Sequence, residues 1–454
     1  MTCKHWRPCK PVVDLYQFQR TGATFLANRD KALLGDEMGL GKTPQAILAC
    51  DMIGAGSVLV ICPAVARDNW AREFARFQQI KRPILVIANS TGTQTPVKGG
   101  VLVCSYDLAS REKVNLVLHA ALYDVLILDE VHYLKCRRTT RTKTVFGAGC
   151  DGIGGLTGLA SRVYALTGTP TPNNHAELWP ILNALFPGAI TNGKGHCMDY
   201  WSFIRRYCEC ENTDFGVKVT GGKNTDELRS RLRPYMLRRL KKAVLPDLPQ
   251  IRFETVTLKA SGGMAALIRM EKGPEGDAVR AALAADQDLK TVAVNLAKLR
   301  RITGMLKTEP LIDLVIGDLI GGMDKIVIFA HHMDVIQALA VGLSEFGVVV
   351  IHGSIQSKAR ADAIDRFQYD PRIRVFIGQI TAAGTAITLT AASNVLFAES
   401  SWTPADNAQA AMRVHRIGQK DSVLIRFATL AGSLDEAITE TVRRKTAVLA
   451  QLFD

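Results

Sequence analysis

The apolar residues Ala32-Leu33-Leu34 run directly into Gly35-Asp-Glu-Met-Gly-Leu-Gly-Lys-Thr43, and a helical pattern follows from Pro44 to Met52. A strand that breaks into glycines and restarts as a helix leaves backbone N–H groups facing whatever sits in the turn. Phosphate suits that position, with Gly39 and Gly41 opening the turn. Lys42 then neutralises the β/γ-phosphates, and the Thr43 hydroxyl ligates Mg²⁺. Such a turn belongs at the carboxyl edge of a parallel, helix-flanked sheet. A second strand-sized run, Val125-Leu-Ile-Leu128, closes on Asp129-Glu-Val-His132. Asp129 is suited to holding the metal, and Glu130 to polarising a water for attack on the γ-phosphate. The two strings together predict an ATP site, although the general phosphate-loop pattern has Gly where this chain has Asp36.

The rest of the chain supports that fold. Apolar runs recur at Val58–Ile61, Ile84–Ala88, Val101–Cys104, Val125–Leu128 and Val163–Leu166, with helical patterns such as Asn69–Phe77 between several of them. From about Thr171 the texture turns helical, through Trp179 and Trp201, to a basic stripe and the Pro-rich Leu245–Gln250. A linker or partly helical excursion with a Gly/Pro turn at Gly273–Gly276 follows. Strands then return at Ile326–Phe329, Val348–Ile351, Val375–Ile377, Val395–Ala398 and Val423–Phe427. The predicted class is α/β: two parallel-sheet lobes, residues 1–170 and 296–454, separated by a helical insertion and linker over 171–295. At 454 residues the chain exceeds one core.

Composition narrows the partners. The longest apolar stretches are strand-sized, which predicts no membrane span, and the N-terminus lacks the apolar core of a secretory signal. A cytoplasmic monomer is expected, nucleoid-associated if bacterial or in the host cytoplasm if phage-encoded. Most of the ten cysteines sit singly in apolar strands, as reduced core thiols do. His196, Cys197, Cys208 and Cys210 lack zinc-finger spacing and read as flanking an amphipathic helix; Cys3, His5 and Cys9 have no paired second half. Net charge is +13. Between Leu228 and Leu245 stand Arg229, Arg231, Arg233, Arg238, Arg239, Lys241 and Lys242 with no acid. Such a stripe suits a nucleic-acid backbone, with Arg238 and Arg239 as candidate DNA contacts; a basic helix packed on the chain's own acidic surface is the alternative.

The second lobe has no phosphate loop. Its most informative segment is Gln409-Ala-Ala-Met-Arg413-Val-His-Arg416-Ile-Gly-Gln419. On one helix Arg413 and Arg416 would share a face and reach a γ-phosphate as paired planar cations; a solvated helix end is the bland reading.

The ordered motifs resemble the ATPase core of helicase superfamily two, and within it the Swi/Snf family of double-stranded DNA translocases. The resemblance rests on Leu15–Leu26, Gly35–Thr43 with its Asp36-Glu37-Met38, Cys62–Phe74, Asp129–His132 and Leu166–Pro170. It continues through Met236–Lys242, His352-Gly353, Gly378–Thr390 and Trp402–Gln419. Leu299–Gly304 with Lys307, Phe329–Val335 and Ser401–Pro404 look like the annealing-helicase, HARP-related subgroup, here as a bare motor. The resemblance implies RecA-like lobes, ATP and Mg²⁺ as cofactors, and duplex or branched DNA as partner, held by its phosphates. It implies adenine reading by Gln19 and nucleotide contact at Gly384. His132, Thr167 and Thr169 would couple ATP state to DNA, while Gln409, Arg413 and Arg416 would complete the site. Pro63, Ser105 and Thr381 lie in segments that touch DNA in relatives. The chain departs from the family at Ala386, Ala411 and Met412. The expected function is a DNA-dependent ATPase that translocates on, remodels or reanneals DNA; a strand-separating helicase and a nucleotide-regulated DNA-binding scaffold are the alternatives.

Overall fold

A computed structural model describes residues 15–90, 99–168, 174–213, 216–260, 262–285, 293–383 and 387–452. Cys3, His5, Cys9, Thr169, Pro170, Gly384 and Ala386 lie outside the described residues. The chain divides into two compact units. One holds the residues up to Asp36 together with Gly41–Arg238, and the other holds Glu37–Leu40 together with Arg239 onwards.

In the first unit the strands are β1 (Lys31–Leu34), β2 (Val58–Cys62), β3 (Ile84–Val86), β4 (Val101–Ser105), β5 (Tyr123–Leu128), β6 (Ala160–Leu166), β7 (Cys208–Thr213), β8 (Gly216–Gly222) and β9 (Met236–Leu237). Seven of them form one sheet in the order β3-β4-β2-β5-β6-β1-β9, all parallel. Every residue of β2 and β4 is buried, because helices cover both faces; parallel strands therefore read as continuous apolar runs. Trp70 and Phe74, on the helix Arg67–Phe77, are the apolar residues that helix buries.

The second unit has its own parallel sheet: β10 (Ile251–Leu258), β11 (Ile326–Ala330), β12 (Val348–Ile351), β13 (Val375–Gln379), β14 (Asn394–Phe397) and β15 (Val423–Leu430), ordered β10-β15-β14-β11-β13-β12. Stacked Phe397 and Phe427, 4.7 Å between centroids, and Phe329 beside Phe397 at 5.3 Å fill one side of it. Leu311, Val315 and Leu319 of the long helix Ala293–Ile320 pack into the cluster on Ile326, Ile328 and Leu396.

The span 171–295 is partly helical, with Trp179–Leu185, Tyr200–Tyr207 and Thr225–Leu232 in the first unit and Met264–Glu271 and Pro274–Ala284 in the second. It also holds the antiparallel β7–β8 hairpin and two further strands, β9 and β10. The helix Tyr200–Tyr207 is amphipathic, burying Phe203, Ile204 and Tyr207 and exposing Trp201. Cys197 and Cys210 are exposed and Cys208 is buried; among the described residues no group of three or more His, Cys, Asp or Glu is placed to hold a metal. No described helix is long and apolar enough to cross a membrane.

The basic stripe is not one helix. It runs from the helix Thr225–Leu232 through β9 to the short helix Lys241–Val244. Its local acids lie just upstream: Arg229 pairs with Asp226 at 2.9 Å and Arg231 with Glu227 at 2.8 Å. Part of the stripe is therefore internal structure. Arg238 donates to the Gly35 carbonyl at 3.0 Å, and Lys241 is buried, whereas Arg233 and Lys242 stay exposed.

Candidate active site

Strands β1, β6 and β5 are neighbours, with Leu34 opposite Leu166 and Leu128 opposite Ala165. Their carboxyl ends therefore deliver Gly35, Thr167 and Asp129 to one edge of the sheet, within about 10 Å at the usual strand spacing. The phosphate turn follows β1 and ends in the helix Lys42–Met52, whose N-cap is Gly41 at φ 70°. Gly39 has φ 89°. The positive φ at Gly41 favours glycine, and a Cβ there would lie 2.4 Å from Gln19 Nε2 and displace that side chain. Gln19 is buried, and its Oε1 accepts the Tyr16 N–H at 3.0 Å.

Asp36, which breaks the general pattern, is fully buried, and its Oδ2 accepts Gln45 Nε2 at 3.1 Å. It ties the turn to the first face of the helix that the turn starts. Lys42 Nζ donates to the Asp36 carbonyl at 2.8 Å, and Thr43 stands at the second helical position, half-buried.

Beyond β5, Asp129 is fixed on three sides. Its Oδ2 accepts Trp70 Nε1 at 2.7 Å, its Oδ1 accepts the Glu130 N–H at 3.1 Å, and its carbonyl accepts the Tyr106 hydroxyl at 2.8 Å. Burial, then the charge of Glu130, push the Asp129 carboxyl up to about 6, against the Trp70 hydrogen bond and the Lys42 charge. Glu130 sits at φ 48°, a strained conformation for a side chain of its size. Its Oε2 lies 3.2 Å from His132 Nδ1, which is also 3.2 Å from Thr167 Oγ1. The predicted Asp129, Glu130, His132 and Thr167 thus form one connected group. Trp70 and Tyr106 were not among the predicted residues; both are large, fully buried polar aromatics, and such groups seek a hydrogen-bond partner.

Pro63 is buried at the start of the turn Ala64–Ala66. The Ser105 hydroxyl is buried and caps the helix Tyr106–Ala109 by accepting from Leu108 N at 3.3 Å. Thr381 lies in the helix Ile380–Ala383.

The second unit corrects one expectation. Gln409 is on the helix Pro404–Ala411, but that helix stops at Ala411, so Arg413 and Arg416 do not share a helical face. The chain tightens instead, with Arg413 N donating to Ala410 O at 3.1 Å, and turns at Gly418, φ 98°. Gln419 pins the turn: its Nε2 donates to Ala392 O at 2.8 Å, and its Oε1 accepts Lys420 N and Asp421 N at 2.9 Å each. Arg416 Nη1 reaches Ile387 O at 3.1 Å and Thr388 Oγ1 at 2.9 Å. A Cβ on Gly39, which groups with this unit, would meet the Arg416 Cβ at 2.9 Å.

Glu37 and Lys241 form a buried pair in the same unit. The Lys241 N–H and Nζ approach Glu37 at 2.6 and 3.2 Å, and Nζ also reaches Met412 Sδ and the His415 carbonyl, each at 3.0 Å. Met412 packs on Met38 and supplies a soft acceptor to Lys241. Removing one member of a buried ion pair typically costs about 3–5 kcal/mol. Lys241→Met is therefore expected to lower the thermal midpoint of the second unit, and Lys241→Arg to lower it less. Calorimetry checks this, and an unchanged midpoint for Lys241→Met would remove the pair from the stabilising contacts.

The subgroup motifs also converge. Arg300 lies over the Trp402 ring at 4.4 Å, and Lys307 Nζ reaches Asp435 at 3.0 Å. Glu399 accepts the His331 and His332 N–H groups at 2.8 and 2.9 Å and His332 Nδ1 at 2.6 Å. Gly304 is needed beside it, since a Cβ there would lie 2.6 Å from Glu399 Oε1.

A glycine turn into a helix, with an Asp-Glu pair two strands away in the same parallel sheet, defines a P-loop nucleotide-binding fold. Residues 18–267 match the SNF2-related domain and residues 306–418 the helicase conserved C-terminal domain. The chain belongs to the SNF2-related family. The SWI/SNF-related matrix-associated actin-dependent regulator of chromatin subfamily A-like protein 1 homolog of Caenorhabditis elegans is 31% identical over 448 residues, which is 96% of this chain and 62% of the relative. The DNA annealing helicase and endonuclease ZRANB3 of Bos taurus is 32% identical over 461 residues, 97% of this chain and 41% of the relative. The chain thus spans less than two thirds of the length of these curated relatives. Among solved structures, the Sulfolobus solfataricus SWI2/SNF2 ATPase core in complex with dsDNA aligns over 99% of this chain and 97% of its own, at 22% identity and a TM-score of 0.45.

Proposed function

We propose that this chain is a DNA-dependent ATPase that translocates on double-stranded or branched DNA and remodels or reanneals it. The observation that carries the reading is the Asp129-Glu130-His132-Thr167 group, on the same sheet edge as the Lys42 turn. Lys42 binds the β/γ-phosphates, and the N–H groups of the turn orient them. Trp70 fixes the Asp129 carboxylate, which leaves the neighbouring Glu130 to accept a proton from an attacking water. The hydroxyl of Thr43 and the carboxylate of Asp129 are hard oxygen donors of the kind Mg²⁺ takes alongside phosphate oxygens, and they would hold it. Mg²⁺, when bound, offsets charge on the phosphoryl group. His132, between Glu130 and Thr167, links the hydrolytic carboxylate to the end of β6.

Contacts to DNA through phosphates make binding steeply salt-dependent and nearly blind to sequence. The test is steady-state ATP hydrolysis with and without duplex DNA, joined to displacement of a triplex-forming strand and to reannealing of a bubble. DNA-stimulated turnover with strand displacement supports the reading. Efficient unwinding of a plain fork without movement on intact duplex favours a strand-separating helicase, and nucleotide binding without turnover favours a scaffold.

A further inference from the structure

We propose that the segment directly behind the Asp129–His132 motif, residues 135–143, is a contact surface for the phosphate backbone of duplex DNA, and that Tyr133 and Tyr106 carry its engagement to Asp129. This rests on the proposed DNA-dependent ATPase reading and names a sensor within it. The segment reads Lys-Cys-Arg-Arg-Thr-Thr-Arg-Thr-Lys, five cations in nine residues with no acid. Lys135 is taken by Glu177 at 2.8 Å and anchors the segment. The other four have no carboxylate within ion-pair distance among the described residues. Arg138 and Lys143 are exposed, while Arg137 and Arg141 are half-buried, lying over the rings of Tyr200 at 4.5 Å and Tyr133 at 5.7 Å. Guanidinium groups that rest over rings are partly ordered in advance and lose less freedom on meeting a phosphate.

The arginine side is wired to the carboxylates. The Tyr133 and Tyr106 rings stack at 5.8 Å with 9° between planes, and the Tyr106 hydroxyl holds the Asp129 carbonyl at 2.8 Å. Tyr133 N donates to Glu130 O at 2.9 Å, and its ring lies 5.2 Å from that of His132. Tyr106 is buried, so a push on Tyr133 has a packed side chain to act through rather than solvent. Arg141 sits where an arriving phosphate would tug on one end of this chain of contacts, and the strained Glu130 backbone sits at the other.

Two variants of the full chain and one labelling measurement test the proposal. Arg138→Glu with Lys143→Glu is expected to keep basal ATPase, weaken duplex binding by on the order of tenfold near 0.1 M salt, and flatten the slope of log K against log salt by about 2. Tyr133→Leu is expected to keep DNA affinity and lose most of the DNA stimulation. Cys136 is exposed inside the segment, so its alkylation, read on its own peptide, should slow when duplex DNA is added. Wild-type affinity and salt slope in the double variant, or Cys136 alkylation indifferent to DNA, would overturn the surface. Protection of Cys136 by polyglutamate but not by DNA would overturn it in favour of an acidic protein partner. Full stimulation in Tyr133→Leu would overturn the relay. The wild-type assay separates the two levels: if it shows no DNA stimulation, the proposed function itself fails before any variant is compared.

Discussion

Replacing Glu130 with Gln is expected to leave ATP binding intact and to cut turnover by on the order of 10² or more. The amide keeps the size of the side chain and its reach toward His132 Nδ1, 3.2 Å away, but cannot take a proton from water. Asp129 does not substitute, because its carboxylate is already clamped by Trp70 Nε1 and the Glu130 N–H. Lys42→Ala is the contrasting control: it removes the cation from the phosphate turn, so nucleotide use should weaken through binding. Equilibrium binding of a fluorescent ATP analogue beside single-turnover hydrolysis separates the two effects. Undiminished turnover in Glu130→Gln would end its assignment as base.

How much of this was legible depends on where each residue is buried. Strands such as β2 and β11 are covered on both faces, so their sequences are uninterrupted apolar runs and their positions follow directly. The strand β10 does not read as a strand because it lies at the sheet edge, pairs among the described residues with β15 alone, and alternates half-buried Ile251 and Phe253 with exposed Arg252 and Glu254. Behind the Pro-rich Leu245–Gln250 that texture reads as linker. The two-residue β9 was hidden for another reason: the flanking arginines suggested a solvated stripe, whereas Arg238 donates inward to Gly35 O. Only tertiary partners distinguish those cases.

The site shows the same division. Lys42, Asp129 and Glu130 were readable because phosphate and water chemistry fixes both residue type and position after a strand. Trp70 lies 59 residues from Asp129 in sequence, and nothing local marks its indole as the clamp on that carboxylate. The end of the helix at Ala411 was missed for a physical reason too. Val414 and His415 are buried immediately after Met412, and the chain needs turns rather than a continuing helix to bury them. Asp36 looked like a fault in the phosphate turn, yet its carboxylate binds Gln45 of the helix that follows.

The turn in place of a helix changes the argument for the arginines, which rests on Arg416 being held in a defined direction and on the family resemblance. Arg416 is held by two oxygens, Ile387 O and Thr388 Oγ1, on a loop stapled by Gln419, so its guanidinium has a defined direction rather than a solvated spread. The Arg416 Cβ would lie 2.9 Å from a Cβ on Gly39, in the same unit. The resemblance to Swi/Snf motors assigns Arg413 and Arg416 to the γ-phosphate, and an arginine acting there contributes a factor on the order of 10³ or more to turnover. Arg416→Ala is therefore expected to leave ATP binding by the Lys42 turn largely unchanged and to lower DNA-stimulated kcat by about 10³. Arg443→Ala is the control, since Arg443 pairs with Glu440 on the helix Asp435–Leu452, and its removal should hardly change turnover. The measurement is kcat at saturating ATP and duplex DNA for Arg413→Ala, Arg416→Ala and Arg443→Ala. Wild-type turnover in both of the first two would take these arginines out of the chemistry and leave the second unit without a part in hydrolysis.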